Sequence, residues 1–194
     1  MSLHADAVRV LDAWWAPTSE QAALRDRYLE HLAAHPDGVF RDCRPDHLTA
    51  STLVLSHDRS RVLLTLHAKA RQWFQLGGHC EPGDPTLAAA ALREATEESG
   101  VADLRLGPAP VHLSEHAVPF CGPHGDVHHL DVRFVAVADE DAEHAVSEES
   151  LDVAWWPVDA LPNDELTDLV TLAVRQSTPS GGGSRWAAAD QPSR

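Results

Sequence analysis

Positive charge is scarce in this chain of 194 residues, with 15 lysines and arginines against 30 aspartates and glutamates and a formal net charge of −15. Nucleic-acid backbones and anionic membranes are bound mainly through Lys and Arg, so neither is expected as a partner. Small anionic substrates stay open to such a chain where a metal ion mediates. Cysteine is scarce too. Cys43, Cys80 and Cys121 are odd in number and form no C-x-x-C pair, which favours reduced thiols in a cytoplasm over a disulfide framework. No apolar run reaches membrane-spanning length, and the first residues lack the basic start and apolar core of a secretion signal. The length suits one domain of ordinary core size with an appendage, and no internal repeat is visible.

What is present is concentrated between Gly77 and Val101. A glycine-rich stretch, Gly77-Gly78-His79-Cys80-Glu81-Pro82-Gly83-Asp84, reads as a turn and leads into a helical pattern ending Leu92-Arg93-Glu94-Ala95-Thr96-Glu97-Glu98-Ser99-Gly100-Val101. Glu94, Glu97 and Glu98 stand at i, i+3 and i+4, so their carboxylates share one helical face. Asp84 and Pro85 read as N-cap and first helical residue, and Gly100 closes the helix. Ala88, Leu92, Ala95 and Ser99 form the opposite face.

Like charges at this spacing destabilise a helix by roughly 0.2–0.5 kcal/mol per pair. A solvated acidic face is the plainer reading of an isolated E-x-x-E-E run. Here both helix ends are fixed by the sequence and a glycine turn adjoins the acids, which favours a compensating hard cation such as Mg²⁺. Mg²⁺ held by carboxylates is commonly shared with substrate phosphates, so phosphate chemistry follows.

At these residues the chain resembles the Nudix hydrolase family. The family's box reads Gly, five residues, Glu, seven residues, Arg-Glu, an apolar residue, any residue, Glu-Glu, any residue, Gly and an apolar residue. Gly78, Arg93, Glu94, Glu97, Glu98, Gly100 and Val101 match it. Asp84 replaces the first glutamate, and eight residues rather than seven separate it from Arg93, which reads as a longer lead into the helix with Asp84 as a cap. Weaker likeness extends from about His47 to Pro162, through Leu66 to Lys69, Trp73 to His79, His116 to Pro119 and His129 to Phe134.

The resemblance implies an α/β fold, a Nudix-type α/β/α sandwich with a mixed sheet, here with an N-terminal helical extension. It implies a Mg²⁺- or Mn²⁺-dependent pyrophosphohydrolase that cleaves a nucleoside diphosphate linked to another moiety. Glu94, Glu97, Glu98 and a backbone carbonyl at Gly78 would hold the metal, Arg93 would orient a neighbouring carboxylate, and Lys69 and Arg133 are candidate phosphate contacts. The general base is left between Glu94 and Glu148 or Glu149. The competing reading is a non-catalytic Nudix-fold module that senses a nucleotide without cleaving it. The expected partner is a small nucleotide, with a homodimer compatible with the reading.

Around the box, two N-terminal helices are expected over 5–15 and 19–34, the second opened by Thr18 with Gln21 at capping-box spacing. Strands are expected over 48–55, 61–66, 111–117, 129–138 and 152–156. Further helices are expected at 157–161 and 166–176. These divide the chain into an extension (1–46), a catalytic domain (47–176) and a flexible tail (177–194) containing Gly181-Gly182-Gly183. Trp73, Phe74 and Phe120 suit either base stacking or the core, with the core favoured. The run His124, His128 and His129 with Asp126 and Asp131 suggests zinc, but neighbouring His128 and His129 would face opposite sides of a strand, which disfavours a single site there.

Overall fold

The computed structural model describes residues 1–119, 121, 127–146 and 150–178. Helix α1 (Leu3–Ala13) and helix α2 (Ser19–Ala34) precede strands β1 (Asp46–Leu55), β2 (Arg61–His67), β3 (Trp73–Phe74) and β4 (Leu76–His79). Helix α3 (Leu87–Ser99) follows, then β5 (Arg105–Leu106), β6 (His112–Ala117), β7 (His128–Val137), β8 (Ser150–Pro157) and, after a 3₁₀ turn, α4 (Thr167–Ser177).

One mixed sheet carries all eight strands. Its spine is the parallel pair β1 and β7, in register from Asp46 opposite His128 to Leu55 opposite Val137. The free flank of β1 is divided: β2 pairs with Val54 and Leu55, and β4 with Thr49 to Thr52. The free flank of β7 is divided in the same way between β5 and β6. The sheet therefore forks at both sides, and the fork beside β1 brings the glycine stretch next to its centre.

Alternation along β1 sends Leu48, Ala50, Thr52 and Val54 to one face and His47, Thr49, Ser51, Leu53 and Leu55 to the other. The first face carries α3 and α1: Leu48, Ala50, Val132 and Phe134 pack with Leu87, Ala90, Ala91, Leu3, Ala7 and Leu11. On the second face Leu53, Leu55, Val135 and Val137 lie under Leu169, Val170 and Ala173 of α4. This is the α/β/α arrangement expected from sequence. The rest of the second face stays polar, with His47, Thr49, Ser51, Asp131 and Arg133 all buried.

The N-terminal helices join the core directly. Asp6 of α1, itself buried, accepts from the amide of Leu87 at 2.9 Å and so satisfies one of the unpaired N–H groups that open α3. Thr18 caps α2 as expected, accepting from Gln21 N at 3.3 Å. Gln21 does not reciprocate as a capping box. Its amide group instead pairs with both backbone groups of Leu113, at 2.9 and 2.6 Å, and ties α2 to β6.

Several expectations are corrected. The glycine stretch is not a turn at its start but strand β4, with Gly77 opposite Ser51 and Gly78 opposite Ala50. The helix expected at 157–161 is absent: Pro157 still pairs with Arg61 in the β-ladder and only a turn follows, with Pro162 blocking propagation. Ser177 closes α4 and is buried, so the structured chain runs past the expected start of the tail. Residues 179–194 lie outside the described residues, as do Phe120, His124, Asp126, Glu148 and Glu149.

Candidate active site

Helix α3 begins two residues later than its sequence suggests. Thr86, extended at φ −150°, is the N-cap and accepts from Ala89 N at 3.0 Å, while Gly100 ends the helix at φ +71°. The buried stripe is Leu87, Ala90, Ala91, Ala95 and Ser99, with Ala88 and Leu92 only partly covered. Small residues let this face lie close to the sheet, and the side carrying Glu94 and Glu98 is thereby set against β4.

The contacts there are close. Glu98 Oε2 accepts from Gly77 N at 2.7 Å. A Cβ on Gly78 would lie 2.6 Å from Glu94 Oε2, so the Glu94 carboxylate occupies the space that a side chain would need. Glu97 reaches Arg93 Nη1 at 3.1 Å and is exposed, at 61% against 17% for Glu94.

Asp84 is neither cap nor member of this acid face. Its two oxygens take Nε and Nη2 of Arg93, each at 3.0 Å, in a two-pronged pair, and Oδ2 also accepts from Glu81 N at 2.8 Å. Before the helix a turn closes, Asp84 N to Glu81 O at 3.0 Å, with the Asp84 carboxylate held against Arg93. The remaining prongs of Arg93 bond His79 O at 3.0 Å and Glu94 Oε1 at 2.9 Å. Arg93 thus fixes Glu94 relative to β4, and Asp84 fixes Arg93.

Charge follows this geometry. The hydrogen bond to Asp84 is the main influence that raises the Arg93 pKa, against burial and with help from Glu94. Burial raises the Asp84 pKa, but bonds from Arg93 and the Glu81 amide outweigh it and hold the carboxyl below its ordinary value. A carboxyl depressed on folding stabilises the fold fully above its unfolded pKa and loses that contribution as pH falls through the lower folded value. Asp84→Asn is expected to cost about 1–3 kcal/mol at neutral pH. The cost should shrink once pH drops below 3.8, the unfolded value. Urea melts of both proteins at neutral and acid pH test this, and an equal loss at both would mean that charge is not what Asp84 supplies.

The other sequence candidates lie apart. Lys69 is exposed in the turn after β2. Arg133 is buried, with Nε 2.8 Å from Asp131 Oδ2. It sits opposite Ser51, which on its other side faces Gly77, so two strand spacings, about 10 Å, separate Arg133 from the glycine strand. Asp131 also accepts from Thr49, Ser51 and Gln75, a buried node that sequence reading missed because its members come from β1, β7 and the link between β3 and β4. Trp73 packs edge-on against Trp156 at 5.3 Å beside the α4 core, which decides for its structural role. Cys80 is buried and its thiol is pushed up to about 12 by burial, so it is no nucleophile.

The acid set fits a hard divalent cation. Every inward group is an oxygen donor or a backbone group of a glycine, and Gly78 leaves room for close approach.

The family model of the NUDIX domain matches residues 45–176. The chain belongs to the NUDIX domain family. Enzymes of this family hydrolyse phosphoanhydride bonds and generally need divalent metal ions. Solved structures agree in fold. A NUDIX-family hydrolase from Clostridium perfringens matches with a TM-score of 0.55 and 24% identity over 68% of this chain and 98% of its own. The dihydroneopterin triphosphate pyrophosphohydrolase of E. coli matches at 0.55 and 18%, over 69% and 97%. The NUDIX domain of Shewanella oneidensis NrtR, solved with ADP ribose, matches at 0.55 and 18%, over 77% and 97%. No curated protein matches by sequence. Helices α1 and α2 precede the matched NUDIX segment, although their side chains fill its core.

Proposed function

We propose that this NUDIX domain hydrolyses the diphosphate of a nucleoside diphosphate linked to another moiety, using Mg²⁺ or Mn²⁺. The observation that carries the reading is the seating of Glu94 and Glu98 on Gly78 and Gly77, which sets two carboxylates one helical turn apart against backbone. Glu94, Glu97 and Glu98, with the Gly78 carbonyl, would hold the cation. When bound it would supply neutralisation of the diphosphate and a lowered pKa for attacking water.

The chain's own residues do the rest. Arg93, locked by Asp84, keeps the Glu94 carboxylate from turning, so that Glu94 can accept the proton of the attacking water. Glu148 and Glu149 remain the competing bases. Arg133 and Lys69 are assigned to the substrate's phosphates, with Asp131 and its partners orienting the Arg133 guanidinium. The segment divides into an N-terminal extension, the hydrolase domain and a tail, and the expected setting is the cytoplasm.

A panel of nucleoside diphosphate derivatives incubated with Mg²⁺ and read by product mass tests the proposal. The expected products are a nucleoside monophosphate and the phosphorylated partner moiety. Tight binding of a panel member with no product would instead identify a sensor.

A further inference from the structure

On the polar face of the sheet, away from the glutamates, four side chains from distant segments converge. His47 of β1 stands opposite His129 of β7, and His79 of β4 pairs with Thr49, one step along the same face. Cys121, beyond β6, completes the group. The Cys121 backbone is held by Arg44 Nη1 to Cys121 O at 2.6 Å and by Cys121 N to Val118 O at 2.9 Å. One ligand atom from each of His47, His79, Cys121 and His129 lies within 4.8 Å of all the others. We propose that these four side chains form a closed tetrahedral Zn²⁺ site, distinct from the Mg²⁺ site on α3.

The spacings match such a centre. With Zn–S near 2.3 Å and Zn–N near 2.0–2.1 Å, a tetrahedral S···N edge is about 3.5 Å. Cys121 Sγ lies 3.5 Å from His79 Nε2 and 4.0 Å from His47 Nε2. Three imidazoles on one tetrahedral ion would hold their ring centres about 5 Å apart. The pairs His47–His79, His47–His129 and His79–His129 are separated by 5.2, 5.0 and 5.0 Å.

The protonation also fits. His47 Nδ1 lies 3.2 Å from the carbonyl of Cys43, which can only accept. The proton is therefore on Nδ1 and the Nε2 lone pair faces the cluster, the orientation that an outer hydrogen bond gives a metal-bound histidine. His129 Nε2 is buried with no hydrogen-bond partner, an orphan that a metal would satisfy.

Four protein ligands leave no open position, so the ion would be structural. It would join β1, β4, β7 and the loop after β6. Through His79, whose carbonyl receives Arg93, it would brace the strand against which the catalytic acids are set.

Untagged protein purified without chelators is expected to carry about one zinc per chain. Replacement by Co²⁺ should give the intense visible bands of a tetrahedral ion and a thiolate-to-metal charge-transfer band. Cys121→Ser should lose that band, and added Zn²⁺ should raise its melting temperature less than the parent's. No stoichiometric metal in the parent, with no thiolate band on Co²⁺ titration, would overturn the proposal even if the variant failed to fold. So would a band that persists in Cys121→Ser, or a weak octahedral spectrum lost in Glu98→Gln, which would put the ion on the glutamates.

Discussion

Glu98→Gln is expected to lower turnover by about 10²- to 10⁴-fold, the equivalent of several kcal/mol of lost transition-state stabilisation, while leaving the fold intact. Glutamine keeps the side-chain volume and an oxygen able to accept from Gly77 N, so the packing of α3 on β4 should survive. What it removes is a negative charge. In metal-free buffer the loss of repulsion along Glu94, Glu97 and Glu98 should leave the melting temperature equal or slightly higher. The rise on adding Mg²⁺ should shrink, because a ligand stabilises the native state only as far as it binds it. Turnover measured beside melts with and without Mg²⁺ separates the cases. Normal turnover with an unchanged Mg²⁺ shift would mean that Glu98 is part of a solvated face and not of a metal site.

Gly77→Ala and Gly78→Ala should fail in opposite ways although they are neighbours. At Gly77 a Cβ would lie 2.3 Å from Ser51 Cβ and 2.5 Å from Ser51 Cα, with φ at +155°. Neither obstacle is a flexible end, so β4 must move off β1. The expected cost is about 3–5 kcal/mol, or roughly 10 °C in melting temperature for a domain of this size. At Gly78 the Cβ meets only the end of the Glu94 side chain, 2.6 Å away at Oε2, and a rotamer change relieves it. Stability should drop little while turnover falls with the displaced carboxylate. Thermal melts and steady-state rates of both variants test the contrast, which collapses if Gly78→Ala retains full activity or Gly77→Ala melts with the parent.

Legibility from sequence followed the distance over which each signal is written. Helix α3 and its acids were readable because caps, periodicity and charge lie within 15 consecutive residues or so. Strands β1, β2, β6, β7 and β8 were readable from their β-branched and apolar runs to within a residue or two. Strand β4 was not, since Gly77 and Gly78 carry the composition of a turn and are in the sheet because Ser51 and Glu94 leave no room for anything larger. Asp84 was misread because Asp, Pro and Thr in succession offer two caps. The local rules do not weigh in an arginine nine residues on. The histidine cluster was hidden for a different reason. His128 and His129 do part company as the strand period requires, His128 going to Asp46 at 3.2 Å. The partners of His129 come from residues 47, 79 and 121, which only the register of β1 with β4 and β7 brings together. Asp6 under the first amide of α3 belongs to the same class, a contact over 81 residues with no local mark.

The parallel pairing of β1 and β7 sets the tempo at which this molecule is made. Its first rung joins Asp46 and His128, 82 residues apart, and every later rung spans the same interval. The pairing of β1 with β7 cannot zip up from a hairpin, so the centre of the sheet closes only once the distal third of the chain arrives. Refolding is therefore expected on a millisecond-to-second scale, slower than for a helical bundle of equal length, with the amides of both spine strands the last to exchange with deuterium.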